Sequence, residues 1–146
     1  SGRYLSDIIY EAMLAAVDEG MFEGNVEVKE FVLKDVSAFI EGDNLLGMFD
    51  LPQDKATAKE ICTSLVDRAA KIGAIMNAAM CVASATDKTL PVGIVCEGTT
   101  FNKLPGFRSA FEKYLHTVLD PRGIKFEILQ GNELNLVGTL MAAQIL

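Results

Sequence analysis

The chain has 146 residues, enough for one domain with a substantial core. Half of them are hydrophobic and the mean hydropathy is +0.27, yet charged residues recur through every long apolar stretch, so no run reaches membrane-spanning length. A net charge of −7 and a pI near 4.7 argue against a general nucleic-acid binder, which needs a basic stripe. The apolar surplus points instead to faces covered by further chain or by a partner. Cys62, Cys81 and Cys96 lie in apolar context without Cys-x-x-Cys spacing, as expected of reduced thiols packed in a cytoplasmic protein. With one histidine, His116, no zinc ligand set is present, and nothing at the start reads as a targeting peptide.

Residues 3–18 carry Tyr4, Leu5, Ile8, Ile9, Ala12 and Leu14 at helical spacing, and Gly20 and Gly24 close that helix. The pattern over 28–41 favours helix over extended chain. Gly42, Asp43, Asn44, Gly47 and Pro52 then mark a loose connection. From Lys55 to about Ala85 runs the strongest helical signal, with Ile61, Leu65, Ala69, Ile72, Met76, Ala79 and Ala83 recurring every three or four residues. A helix of about 30 residues is roughly 45 Å long, whereas a compact globule of this chain length is about 38 Å across. It must therefore bend, with Gly73 the place for it, or project. Its alanines form a close-packing surface, and Arg68 reads as an ion-pairing residue.

Pro91 introduces a strand over 92–96, and the apolar run ends in Glu97-Gly98-Thr99-Thr100. A helix from about Pro105 to Leu119 follows, with His116 near its carboxyl end as a dipole partner. Lys125–Leu129 alternates as a second strand, and Leu136–Leu146 reads as an apolar terminal helix. Two strands rarely stand alone as a sheet, so a partner sheet is implied elsewhere. The turn after the first strand offers backbone N–H groups and hydroxyls where open α/β sheets hold ligands. On its own chemistry it is either an anion-binding loop or an ordinary strand-to-helix turn.

Several segments, in order, resemble the C-terminal part of the large lobe of eukaryotic-type hexokinases. Ser1-Gly2-Arg3-Tyr4-Leu5-Ser6-Asp7-Ile8 is similar to that family's Ser-Gly-Met-Tyr-Leu-Gly-Glu-Ile, and Val66-Asp67-Arg68-Ala69-Ala70 to its Val-Ser-x-Arg-Ala-Ala. Val92 through Phe107 resembles Val-Gly-Val-Asp-Gly-Thr-Leu-Tyr-Lys-Leu-His-Pro-His-Phe, with Gly98, Thr99, Pro105 and Phe107 at matching spacing. Phe126–Leu129 and Gly138-Thr139-Leu140-Met141-Ala142-Ala143 resemble the closing strand and the Gly-Ala-Ala helix.

The resemblance implies an α/β fold, a portion of an actin-like (ribonuclease H-like) ATPase domain, mostly helical with a small sheet. Residues 1–146 would form a single unit on the nucleotide side of an enzyme that phosphorylates a glucose-like hexose with Mg-ATP. Carried over by position, Gly2, Arg3, Gly98 and Thr99 would lie at the nucleotide. Lys34 and Ser37 match part of a Thr-Lys-x-x-Ser element whose threonine is here Leu33. The bland alternatives are that Ser1-Gly2 is a helix cap or cloning remnant and that Lys34 and Ser37 are surface residues. Glu97 stands where the family has Asp, and Asn135-Leu136-Val137-Gly138 replaces its Ser-Gly-x-Gly adenine loop. The family's phosphate-1 loop, sugar-binding residues and general base have no counterpart here. No catalytic residue or metal ligand is therefore assigned within the chain, which is expected to be inactive alone and to self-associate, without nucleic-acid or membrane partners. Two other readings are a non-catalytic actin-like partner-binding module and an unrelated helical domain; the latter predicts no pairing between 92–96 and 125–129.

Overall fold

The computed structural model describes residues 2–130. Its elements run α1 (Gly2–Asp18), α2 (Leu33–Glu41), α3 (Pro52–Ser84), β1 (Val92–Val95), α4 (Thr99–Lys103), α5 (Phe107–Leu119), a 3-10 turn at Asp120–Arg122, and β2 (Phe126–Leu129). The terminal helix expected over Leu136–Leu146, and the Asn135–Gly138 loop before it, lie outside the described residues.

Helix α1 buries Leu5, Ile9, Met13 and Ala16, one face at helical spacing. Gly20 ends it at φ 67°, where the Met21 N–H reaches back to the Ala16 carbonyl at 2.9 Å. Helix α2 is shorter than the periodicity over 28–41 predicts. It begins at Leu33 because the Asp35 carboxylate accepts the Val32 N–H at 2.9 Å, capping the start, while 28–32 stay outside the helix. The glycine-rich connection after it is not loose. Leu45, Met48 and Phe49 are buried in the core, so three apolar side chains outweigh the turn-forming residues around them.

Helix α3 continues through Gly73 as one element and serves two cores in succession. Its buried positions are Asp54, Ala58, Cys62, Val66, Ala70, Ala74, Ala78 and Cys81. Four residues turn a helix about 40° past a full revolution, so a stripe spaced by fours drifts about 200° between Ala58 and Ala78. The amino-terminal half consequently packs Ala58, Cys62 and Val66 with α1, α2 and Phe49. The carboxyl-terminal half packs Ala70, Ala74, Ala78 and Cys81 with Phe111, Leu115 and Leu119 of α5. The small side chains let α5 approach closely; a β-carbon on Gly73 would sit 3.5 Å from the Phe111 ring. Ile72, Met76, Ala79 and Ala83, which continue the recurring apolar pattern, are exposed. They extend the face used by Ile61, Leu65 and Ala69 beyond the end of the first core.

Strands β1 and β2 pair in parallel, Val92 opposite Phe126 through Val95 opposite Leu129, which overturns the unrelated helical reading. Parallel neighbours require a crossover, supplied here by α4 and α5. Ile94, Phe126 and Ile128 face the second core. On the other face Val95 and Leu129 are half exposed, and Leu129 lies over Gly93, where a β-carbon would be only 2.9 Å from its Cδ1. Parallel sheets are ordinarily covered on both faces; among the described residues this one carries helix on one side only.

Candidate functional site

The turn after β1 is shorter than its sequence suggests. Thr99 already opens α4, a five-residue helix unread in the sequence, and the following helix starts at Phe107 rather than Pro105. Gly98 precedes Thr99 with φ 116° and ψ 154°, a conformation essentially reserved for glycine. Its carbonyl accepts the Asn102 N–H at 3.2 Å, and the Leu104 N–H reaches Thr100 at 3.2 Å. Phe101 and Leu104 are buried, anchoring α4 while its polar residues stay accessible.

Three helices converge beside this turn around a cavity of about 610 Å3. Its wall is formed by Gly2 of α1, by Leu33, Lys34, Ser37, Ala38 and Glu41 of α2, and by Thr99, Thr100, Lys103 and Leu104 of α4 and its exit. Thus Gly2, Lys34, Ser37 and Thr99, singled out in the sequence, share one cavity. Arg3 and Gly98 adjoin wall residues but do not line it. The walls are mostly hydrocarbon, and the charged groups are two lysines and one glutamate. The Ser37 hydroxyl donates to the Lys103 carbonyl at 3.4 Å, linking α2 to α4. Leu33 lies against the Gly2 backbone; a β-carbon there would be 3.0 Å from its Cδ2. Thr100, Glu41 and Lys103 were not foreseen, because their shared wall depends on α4 being helical.

Elsewhere the chemistry is structural. The Tyr114 hydroxyl donates to Asp67 Oδ2 at 2.7 Å, joining α5 to α3, and this hydrogen bond pushes the phenol pKa up. Arg68 is exposed and forms no ion pair among the described residues, contrary to the sequence reading. His116 lies in the last turn of α5, 3.1 Å from Asp120 and against the Phe126 ring. All three cysteines are free thiols; burial raises their pKa values, that of Cys62 to about 12. For Cys96, at the end of β1, the nearby Arg108 opposes part of that rise. Among the described residues no group of three or more His, Cys, Asp or Glu is placed to hold a metal ion, and no helix is long and apolar enough to cross a membrane.

Compared with known proteins, the sequence matches the family described as Hexokinase over residues 1–145. No curated protein matches the chain.

Proposed function

The chain belongs to the hexokinase family, and from that premise we propose that it contributes the nucleotide side of an enzyme transferring the ATP γ-phosphoryl group to the 6-hydroxyl of a glucose-like hexose. The observation that carries this reading is the cavity itself. Gly2, Lys34, Ser37 and Thr99, drawn from three separate helices, line one space whose charged groups are Lys34, Lys103 and Glu41. A nucleotide fits that chemistry: cations and hydroxyls for phosphates, hydrocarbon for the remainder. Gly2 with Arg3, and Gly98 with Thr99, would bring backbone close to the phosphates, and Lys34 and Ser37 would meet them from α2. Mg2+ would be carried on the phosphates, as is usual for this ion, with few protein ligands.

Phosphoryl transfer requires both substrates to be positioned and the attacking hydroxyl oriented. The chain supplies no assigned general base, so the working enzyme would need further residues, in a cytoplasmic protein whose actin-like sheet continues beyond β1 and β2. The half-bare parallel sheet supports such a continuation. A second reading, a non-catalytic module that binds a partner or itself, is favoured by the uncovered apolar residues of α3 and by Leu33 at the cavity.

The test is hexose-dependent ADP release by the full-length protein, with titration of a fluorescent ATP analogue. Binding that weakens on Lys34→Ala, with turnover of hexose, supports the enzyme. No binding at millimolar analogue would leave the module, and turnover by the 146-residue chain alone would overturn the half-site assignment.

A further inference from the structure

We propose that Lys103 is a second cationic ligand for nucleotide phosphates, reaching from α4 into the cavity that Lys34 lines from α2. This rests on the nucleotide reading above and adds a residue that reading does not contain.

The charge on the cavity wall motivates the assignment. In a chain of net charge −7, Lys34 and Lys103 face Glu41 alone. Two other cavities among the described residues differ. One between α2, α3 and α5 pairs Asp67 with Lys113, and one beside β2 sets Lys125 against Asp120 and Glu127. Of these three spaces, only the α1–α2–α4 cavity has a positive formal balance. Neither of its lysines is ion-paired to a described carboxylate. Both ammonium groups are exposed and free to turn toward the cavity, where an anion would gain from the two together.

Position strengthens the case. Lys103 ends α4 next to the buried Leu104, and its carbonyl accepts the Ser37 hydroxyl, so its backbone is fixed while its side chain is exposed. The hydrocarbon of Leu33, Ala38 and Leu104 limits water around an anion at the wall, which strengthens a lysine contact relative to open solvent. A polyphosphate is long enough to engage lysines from two elements; a nucleoside without phosphates offers neither a partner.

The experiment uses the full-length protein and measures equilibrium binding of ATP, ADP and adenosine, together with KM for ATP and for hexose. Because Lys103 is exposed, Lys103→Gln is expected to fold normally. It should weaken ATP by about 5- to 20-fold, ADP by less and adenosine not at all, with KM for hexose unchanged. Lys103→Arg should recover most of the affinity, and Lys125→Gln, on the other cavity, should leave it unchanged. If Lys103→Gln binds ATP like wild type while Lys34→Ala weakens it, the role of Lys103 is overturned and the nucleotide site stands. Equal loss for adenosine would likewise overturn it, by showing a change of shape rather than of charge. If neither lysine variant alters ATP binding, the nucleotide reading of the cavity falls and this assignment falls with it.

Discussion

A β-carbon placed on Gly2 would lie 2.7 Å from the Oγ1 of Thr100, too close for the two to coexist without movement. The start of α1 is thus seated against the second residue of α4. Thr100 is β-branched and stiff at χ1, whereas the other near neighbour, Leu33, can rotate away. Gly2→Ala is therefore expected to push α1 from α4 at the cavity. In the full-length protein we expect nucleotide affinity to fall by about 10-fold or more, since small displacements at a binding constellation are costly. Thr100→Ala in the same background should restore most of the loss. Unchanged affinity in Gly2→Ala would show that this contact does not shape the site.

Asp54 is the one carboxylate buried in the described core, at 2% exposure. Its two oxygens accept the Glu23 and Gly24 N–H groups, each at 2.8 Å, and tie the loop after α1 to the first turn of α3. Asp54→Ala removes the acceptor of both N–H groups, which are only partly buried, and is expected to cost about 1–3 kcal/mol in urea unfolding. Asp54→Asn keeps one acceptor and should cost clearly less. Equal losses for the two variants would point to the charge, not the paired N–H groups, as the source of stability.

The sequence conveyed the helices whose apolar spacing is local and the two strands with their punctuation. It also picked out four residues of the cavity wall. What it hid depends on long-range geometry. The stripe of α3 that is buried is spaced by fours, and its drift makes sense only once two cores are known to lie on different sides. The stronger apolar pattern through Ile72 and Met76 marks the helix, yet solvent meets that face. The 42–52 connection carries glycines that signal a loop and buried Leu45, Met48 and Phe49 that the signal obscures. Helix α4 is too short to have a period, so the wall it completes with Lys103 could not be read in advance.

Stability should fall in alkali through Cys62. The folded thiol titrates at about 12, against 9.0 for a free one, because burial disfavours the thiolate. Between those values the unfolded chain has lost a proton that the folded chain keeps, so stability falls as pH rises. From pH 8 to 10 this amounts to roughly 1 kcal/mol by linkage. Cys62→Ala, although destabilised by its lost packing, should show a correspondingly smaller loss over the same range. Parallel pH profiles of the two proteins in urea unfolding would remove Cys62 from the explanation.

The exposed face of α3 gives a prediction about association. Ile72, Met76 and Met80 are 49%, 65% and 71% exposed and lie at spacings of four along one side. They continue the face that packs against the first core, so their exposure reflects where the described layer ends and not a change in sequence character. The outer face of the sheet adds Val95 and Leu129 to the uncovered apolar surface. Such surface is rarely left to water when contiguous. We expect the 146-residue chain to self-associate at micromolar concentration in sedimentation velocity. Met76→Glu with Met80→Lys should shift it toward monomer while changing unfolding free energy by no more than about 0.5 kcal/mol per site, as befits exposed positions. A wild-type chain that sediments as a monomer would show that this face, though apolar, does not drive contact between copies.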